Sequence, residues 1–316
     1  MLVRISAIRT FFSKPESVRI CGSLPELGDW DPSKALELAC DDFNLAEPSF
    51  WRAEINLPRK ARFEYKFVCL WADGKVEWEG SGSTSNRSCD FADKEARVNS
   101  HIYILRPSRW QEQGGAATEL QQTTAFYHEI VQTNSLHYSE IQPNIFLGTS
   151  PRTLDHIDHL VNEKGVTAVV NFQLDSDIEA NCGLLCPDEE DWAPLQLAEV
   201  YRNRSVAYVW LPTADMSTEG RIYMLPQAVF ALQEGLLSSG HKVYVHCNAG
   251  VGRSTAVIFA YLHYVKGLTL RESHFAVAAK RPVAYFDERA LKEAKPLFAQ
   301  GFGFASRVLE EHKRHY

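Results

Sequence analysis

The sequence lacks the features that are typical of membrane proteins, secreted proteins and nucleic-acid-binding proteins. No apolar run approaches the ~18 residues that a membrane-spanning helix requires, and the first residues show no signal-peptide pattern. Basic residues do not cluster, and 33 Lys and Arg against 40 Asp and Glu give a net charge of −7. We therefore expect no transmembrane segment, and no nucleic acid or anionic membrane as a partner.

Cysteine is sparse and scattered. The chain has seven cysteines, an odd number without the density of a disulfide-rich secreted scaffold. Cys182 and Cys186 could form a metal or redox pair, but no paired Cys/His set accompanies them. Incidental cysteines are the favoured interpretation, and neither a metal nor a cofactor is expected. These absences predict a cytoplasmic protein.

The sequence pattern changes twice along the chain. Residues 1–107 contain short strand-like segments separated by Pro, Gly, Asn and Asp, which predicts a β-sandwich. Residues 108–125 are rich in Gln, Gly and Thr and predict a linker. Across residues 126–316 apolar strands alternate with helical segments, which predicts an α/β domain whose sheet is covered on both faces. The expected fold class is therefore multidomain, with strands of the second domain at Val166–Phe172, Val206–Leu211 and Val243–His246.

The segment His246–Thr255 carries the clearest chemical information. It lies between a predicted buried strand and a predicted helix, Ser254–Lys266, so it directs backbone N–H groups and a helix N-terminus into one concavity. Such a site binds an oxyanion and lowers the pKa of a cysteine from about 8.5 to roughly 3.5–7.5. Cys247 is the predicted nucleophile, and the planar fork of Arg253 is predicted to hold two phosphate oxygens.

The other loop residues support these two. The glycines permit backbone angles that are closed to other residues and a close approach of the phosphate. The Ser254 hydroxyl can donate a hydrogen bond to the sulfur, and His246 is predicted to be structural rather than a general base. The predicted phosphate-binding loop consists of His246, Asn248, Ala249, Gly250, Val251, Gly252 and Ser254.

This loop resembles the signature loop of the cysteine-dependent phosphatases. Those enzymes also need a general acid on a loop upstream, and the resemblance assigns that role to Asp215 in the Pro-containing segment Leu211–Ser217. A lone loop Asp is more often a helix cap or a solvated turn, but its spacing to Cys247 favours the acid. The chemistry needs an ionised cysteine and a protonated aspartate together, so the rate should peak at mildly acidic pH. No metal is needed, because the loop and Arg253 supply positive charge.

Four of the seven tryptophans lie in the first domain. A tryptophan on a sandwich strand is usually a core residue, and Trp51 is assigned to the core. Trp30 follows a turn-rich segment, Gly22–Asp29, and Trp78 precedes a polar loop of Gly, Ser and Asn. A flat indole in such a place can stack on the C–H face of a glucose ring.

This set of residues resembles the starch-binding class of carbohydrate-binding modules. The matching segments are Gly22-Ser23, Leu27–Trp30, Glu64–Phe67 and Trp78–Gly80. The resemblance implies glucan contacts from Trp30, Lys66, Trp78, Gly82, Ser83, Thr84, Ser85 and Asn86.

A starch-binding module joined to a dual-specificity-type phosphatase domain is similar to the glycogen phosphatases over nearly the whole chain. The resemblance implies that Asp177 and Tyr285 line a glucan channel, that phosphate monoesters are removed from glycogen-like glucans, and that the protein associates with glycogen as a homodimer through its phosphatase domain. The small, uncharged Ala249–Gly252 suits a neutral glucan better than a charged peptide. Two alternatives stay open: a dual-specificity phosphatase of phosphoprotein substrates that is held on glycogen, and a glycogen-bound adaptor without catalysis.

Overall fold

A computed structural model describes the backbone of residues 1–58, 62–91, 97–99, 102–111, 119–182, 185–186 and 192–313, and the side chains of these except 97–99, 119–123, 125 and 303–313. The contacts within the chain divide it into two units. The first unit comprises Met1–Thr118 and Leu268–Pro282, and the second comprises Glu119–Gly267 and Val283–Tyr316.

The strands of the first unit form one continuous sheet with ten described strands. The path runs β6-β5-β2-β3-β4-β1-β9-β8, with β10 paired to β1 and β7 paired to β5. The strands are β1 (Leu2–Thr10), β2 (Ser17–Gly22), β3 (Leu36–Cys40), β4 (Pro48–Asn56), β5 (Arg62–Leu70), β6 (Val76–Trp78), β7 (Arg87–Asp90), β8 (Arg97–Asn99), β9 (Ile102–Ile104) and β10 (Ser108–Arg109).

The alternation of side chains along β1 shows how this sheet encloses its core. Val3, Ile5 and Ala7 point to one face and are fully buried in the main cluster of the unit. Phe67 and Trp51 belong to the same cluster, so the sequence-based assignment of Trp51 to the core is confirmed. Fully burying a large apolar side chain contributes about 1.5–3 kcal/mol, which makes this cluster the main stabilising feature of the unit.

The second unit is built around a five-stranded sheet in the order β11-β12-β15-β13-β14. β12, β15, β13 and β14 are parallel, and β11 joins β12 as an antiparallel hairpin. From residue 119 the elements are α1 (Glu119–Thr133), β11 (Tyr138–Gln142), β12 (Ile145–Gly148), α2 (Leu154–Asp158), β13 (Ala168–Asn171), α3 (Asp175–Asn181), α4 (Ala193–Arg202), β14 (Ala207–Trp210), α5 (Thr218–Phe230), β15 (Val243–His246), α6 (Arg253–Ala260), α7 (Leu270–Lys280) and α8 (Glu288–Lys313). α2, α5 and α6 each continue into a π-helical segment, at His159–Glu163, Ala231–Leu237 and Tyr261–Val265.

Helix α7 belongs to the first unit although it lies between elements of the second unit in the sequence. Ile8 of β1 and Phe50 of β4 form an apolar cluster with Phe275 and Ala278 of α7. The rings of Phe50 and Phe275 meet edge to face, with centroids 5.2 Å apart. The helix therefore covers the side of β1 and β4 that the main core leaves uncovered.

The structure agrees with the predicted strands of the second domain and corrects the predicted linker. β15 occupies the predicted range, and β13 and β14 lie within theirs. Residues 108–125 are not one linker, because Ser108 and Arg109 pair with β1, Trp110 is 5 % exposed in the sandwich core, and α1 begins at Glu119. The Gln- and Gly-rich composition concealed these elements; residues 112–118 lie outside the described residues. Within the described ranges, no helix has the length and apolar character needed to cross a membrane.

Candidate functional site

The carboxyl ends of the parallel strands bring the functional loops of the second unit to one edge of its sheet. β15 ends at His246, the chain continues through Cys247, and α6 begins at Arg253. Gly250 has a φ of +64°, a left-handed conformation that favours glycine in this turn. The strand–loop–helix arrangement that the sequence predicts is therefore present, with a helix N-terminus directly after the loop.

Cys247 lies at the base of this loop, beside a hydroxyl group. It is 3 % exposed, and its Sγ lies 3.4 Å from Oγ of the fully buried Ser254. Ser254 lies in the first turn of α6, so its hydroxyl is held against the sulfur. A hydroxyl in this place can donate a hydrogen bond to a thiolate and stabilise it as a leaving group.

His246 is buried and supports the loop from behind. Its Nδ1 lies 3.1 Å from the carbonyl oxygen of Cys247, and since a carbonyl only accepts, Nδ1 donates the hydrogen. Burial lowers the pKa of His246 to about 4, with the charge of Arg253 adding to the effect and the hydrogen bond to Cys247 opposing it. The imidazole is therefore neutral at neutral pH, which supports a structural role.

Arg253 is fixed by the hydrogen bonds of one of its three nitrogens. Nη1 donates to Oδ2 of Asp177 at 2.6 Å and to the carbonyl oxygen of Thr213 at 3.0 Å. Nε and Nη2 are buried and have no hydrogen-bond partner among the described residues. Burial lowers the pKa of Arg253, but the negative groups of Cys247, Asp215 and Asp177 outweigh it and raise the pKa above its usual value. The guanidinium thus stays charged, with two N–H directions suited to phosphate oxygens.

Asp215 lies beside this guanidinium on the loop between β14 and α5. Its Oδ1 is 3.1 Å from Nε of Arg253, an ion-pair distance without the alignment of a hydrogen bond. Its side chain is 41 % exposed, so water can reach the carboxyl group. Ser217 ends the loop by accepting a hydrogen bond from the backbone N–H of Gly220, which caps α5. The structure therefore brings Asp215, Arg253 and the loop of Cys247 together.

Asp177 holds two parts of the phosphate-binding loop. Oδ1 accepts a hydrogen bond from Nδ2 of Asn248 at 2.8 Å, while Oδ2 accepts from Arg253 and from the backbone N–H of Leu174. Burial raises the pKa of Asp177, but the charge of Arg253 and these hydrogen bonds outweigh it and lower the pKa below its usual value. Both carboxylate oxygens therefore already have protein partners.

Tyr285 lies against the outer side of the loop. Its backbone N–H donates to the carbonyl oxygen of Val251 at 2.8 Å. Its partly buried ring packs against the cluster that contains Ala249, Val251 and Phe126. Tyr285 therefore supports the loop through both its backbone and its ring.

Six of the eight expected glucan residues of the first unit line a surface cleft. The cleft has a volume of about 1100 Å³ and includes both Trp30 and Trp78, whose ring centroids lie 6.3 Å apart at 43°. Asp29 and Trp30 both have positive φ, and the Trp30 backbone N–H donates to the carbonyl oxygen of Gly22. This tight turn presents the two partly buried indoles side by side at the cleft.

The polar loop after Trp78 forms one side of the cleft. Gly82, Ser83 and Asn86 line it, whereas Thr84 and Ser85 form hydrogen bonds with Ser81 in the loop. Lys66 is only 5 % exposed, and its Nζ donates to the carbonyl oxygens of Glu79 and Gly82. Lys66 thus lies at the cleft but is used to hold the loop.

Comparisons with protein families and with known sequences identify both parts of the chain. The starch binding domain family matches residues 2–100, and the catalytic domain family of the dual specificity phosphatases matches residues 145–312. Over 307 residues the chain is 41 % identical to laforin of Mus musculus, covering 91 % of this chain and 92 % of that protein. The chain belongs to the laforin family. Its matched catalytic domain is accordingly a cysteine-dependent phosphatase, preceded by a starch-binding domain.

Two further similarities are weaker. The chain is 28 % identical over 156 residues to the amyloplastic phosphoglucan phosphatase DSP4 of Castanea sativa, covering 49 % of this chain and 38 % of that protein. The crystal structure of PTPMT1 is matched at 24 % identity and a TM-score of 0.43, over 54 % of this chain and 99 % of that one.

Four residues of this laforin-family chain were not predicted from sequence. Trp110 and Gln111 line the cleft of the first unit, where they had been assigned to a linker. Buried Glu79 pairs with Arg87 and also accepts a hydrogen bond from the backbone N–H of Gln111. The tryptophan within a Gln-rich segment was the one local signal for this placement, since such a large aromatic side chain is usually at least partly buried.

Proposed function

We propose that this protein hydrolyses phosphate monoesters carried by an α-glucan such as glycogen, through a phosphocysteine intermediate. One observation carries the proposal: a starch-binding domain and a cysteine phosphatase domain occur in a single chain. The first has two indoles at its cleft, and the phosphate-binding loop of the second has small, uncharged side chains at Ala249 and Val251. A neutral polymer fits this combination better than a charged peptide does.

The first chemical step transfers the phosphoryl group to sulfur. The thiolate of Cys247 attacks phosphorus, the S–P bond forms, and the bond from phosphorus to the sugar oxygen breaks. Nε and Nη2 of Arg253, together with the loop N–H groups, stabilise the equatorial oxygens. Asp215 gives its proton to the departing sugar oxygen.

The second step returns the enzyme to its starting state. Asp215, now a carboxylate, takes a proton from water while the water oxygen attacks phosphorus. The S–P bond breaks, inorganic phosphate leaves, and the hydroxyl of Ser254 stabilises the released thiolate at the 3.4 Å separation seen here. The side chains named here are sufficient for both steps.

The polymer is held at the cleft of the first unit. In this proposal Trp30 and Trp78 stack on glucose rings, and the loop Gly82–Asn86 supplies polar contacts. Lys66 acts by shaping that loop, while Asp177 and Tyr285 support the phosphate-binding loop. The proposal also includes residence on cytoplasmic glycogen and a homodimer through the phosphatase domain, both supported by the family resemblance. Co-sedimentation with glycogen and light scattering test these two parts.

The deciding experiment measures phosphate release from phosphorylated amylopectin and from p-nitrophenyl phosphate. The wild-type chain should act on both substrates, and Cys247→Ser should act on neither. Trp30→Ala should lower the rate on amylopectin and leave the small substrate unaffected, because it changes only polymer binding. Fast release from phosphopeptides combined with none from amylopectin would instead favour the phosphoprotein alternative.

A further inference from the structure

The phosphatase unit carries an exposed tryptophan that packs against a second, half-buried tryptophan. Trp192 directly precedes α4 and is 54 % exposed. It packs against Trp210, the last residue of β14, with ring centroids 5.3 Å apart at 72°. Leu195 beside it is 51 % exposed. A large, exposed apolar group of this kind commonly marks a binding surface.

Trp192 is not needed to anchor its helix. Leu197 and Tyr201 attach α4 to the core of the second unit, and each is 1 % exposed. Trp192 contacts the neighbouring Trp210 while more than half of its surface faces solvent. Within the part of the chain that the structure describes, core packing therefore does not account for an indole at this position.

Two hydrogen bonds through Gln173 connect Trp210 to the phosphate-binding loop. Nε1 of Trp210 donates to the carbonyl oxygen of Gln173 at 2.7 Å. Nε2 of the fully buried Gln173 donates to Oδ1 of Asn248, the residue after the nucleophile, at 2.8 Å. Trp210 is thus held in a fixed orientation relative to the loop.

The pairing of the strands gives the distance between Trp210 and the end of β15. Asn171 of β13 is paired with His246 on one side and with Trp210 on the other. Neighbouring strands lie about 4.8 Å apart, so Trp210 lies about 10 Å across the sheet from the end of β15. That distance suits neighbouring glucose residues of one glucan chain whose phosphate is bound at Cys247.

We propose that Trp192 and Trp210 form a sugar-stacking subsite of the phosphatase unit, which binds an unphosphorylated glucose residue of the α-glucan chain being dephosphorylated. The proposal rests on the function proposed above. The pair in the first unit offers a parallel, because Trp30 and Trp78 are also two adjacent indoles at a surface, with centroids 6.3 Å apart. In both places a flat, partly exposed indole is held by a second indole, which suits the C–H face of a sugar.

The test uses the full chain in a Trp30→Ala background, so that the first unit contributes less to binding. Kinetics are measured on phosphorylated maltodextrin, on p-nitrophenyl phosphate and on a phosphotyrosine peptide. Trp192→Ala should raise the KM for maltodextrin about three- to tenfold, the range expected for loss of one aromatic contact. The kcat on maltodextrin and both constants on p-nitrophenyl phosphate should stay within about twofold.

Two further variants separate stacking from general damage. Trp192→Phe keeps a flat ring and should recover most of the maltodextrin KM. Tyr223→Ala, at a residue 79 % exposed on α5, should leave every constant unchanged. An unchanged maltodextrin KM in Trp192→Ala overturns the subsite, as does an equal loss on p-nitrophenyl phosphate. A raised KM for the peptide alone assigns the pair to protein binding and also overturns it.

Failure of the subsite differs from failure of the proposed function. If the wild-type chain hydrolyses p-nitrophenyl phosphate but no phosphoglucan, the proposed function is wrong and the subsite is wrong with it. If the wild-type chain is active on phosphoglucan while Trp192→Ala has the same KM, only the subsite is wrong.

Discussion

Asp177 illustrates how a single carboxylate can connect several groups of a phosphate-binding loop. Sequence resemblance placed it on a glucan channel, whereas in the structure its oxygens accept hydrogen bonds from Asn248, Arg253 and the backbone of Leu174. The 2.6 Å contact to Nη1 fixes the guanidinium and leaves Nε and Nη2 without a hydrogen-bond partner among the described residues. We therefore expect Asp177 to affect phosphate binding through Arg253.

Asp177→Asn should lower kcat/KM about 10- to 100-fold, the range that corresponds to losing a hydrogen bond between charged groups. The loss should be similar on phosphoglucan and on p-nitrophenyl phosphate, because both substrates place their phosphate beside Arg253. Asp175→Asn, an exposed neighbour on α3, is the matched control and should have little effect. A loss confined to phosphoglucan would show that Asp177 contacts the glucan after all.

The residues that could be predicted from the sequence are those whose chemistry is local. Cys247, Arg253 and the glycines between them share one loop, so their spacing alone indicates a phosphate site. Gln173 carries no such signal, because its role depends on a strand pairing that brings it beside Asn248. Long-range partners of this kind follow from sheet register, which a single sequence does not specify.

At the scale of elements, the loop Gly80–Asn86 depends on a lysine beneath it. Nζ of Lys66 donates to the carbonyl oxygens of Glu79 and Gly82, at the two ends of the turn that follows Trp78. Gly80 and Gly82 both have positive φ, so the turn needs backbone angles that favour glycine and a partner for its carbonyls. The ammonium group supplies that partner.

Lys66→Met should therefore weaken both the first unit and its glucan binding. A buried carbonyl left without a donor costs about 1–3 kcal/mol; this applies to Glu79, whereas water can reach the exposed Gly82. We therefore expect a loss of about 2 kcal/mol in the free energy of unfolding and a clear fall in glycogen affinity. Lys14→Met is the matched control, since Lys14 is an exposed lysine of the same unit that does not line the cleft. Urea unfolding and glycogen co-sedimentation measure the two effects. Weaker binding with unchanged stability would identify Lys66 as a direct glucan contact.

At the scale of the whole molecule, the two units are not two consecutive stretches of sequence. The second domain was expected to be continuous over 126–316, yet residues 268–282 group with the first unit. The apolar residues of α7, Phe275 and Ala278 among them, are not concentrated strongly on one face, and nothing local in the helix shows which sheet it covers. The place of α7 therefore could not be predicted from the sequence.

Phe275→Ala should destabilise the first unit although residue 275 lies within the range matched by the phosphatase family. The ring of Phe275 packs on Phe50, and losing a partly buried phenyl ring should cost about 2 kcal/mol, below the range for a fully buried one. In thermal unfolding, the affected transition should be the one that added maltoheptaose shifts upward. Phe12→Ala, at a ring 85 % exposed, is the control. A shift only in the other transition would contradict the grouping of α7.

Among the described residues, each unit contains one buried histidine, from which we predict sensitivity to acid. Burial lowers the pKa of His246 in the second unit to about 4. In the first unit burial lowers the pKa of His274 to about 3, with Arg106, Arg109 and Arg271 adding to the effect. Both imidazoles are therefore neutral in the folded protein, whereas the unfolded chain titrates at about 6.5. Below that pH the unfolded state binds protons that the folded state does not.

The free energy of unfolding should consequently be independent of these groups above pH 6.5 and fall as the pH is lowered from 6.5 toward 4. Each histidine contributes a slope of about 1.4 kcal/mol per pH unit in that window. In urea titrations at a series of pH values, His274→Gln should flatten the acid slope of the first unit, whatever its effect on absolute stability. His128→Gln, at an exposed histidine on α1, should leave that slope unchanged. If His274→Gln has the wild-type slope, the acid sensitivity of the first unit comes from other groups. Catalysis is expected to peak at mildly acidic pH. The same titration therefore gives the lowest pH at which a measured rate reflects the chemical step and not unfolding of the protein.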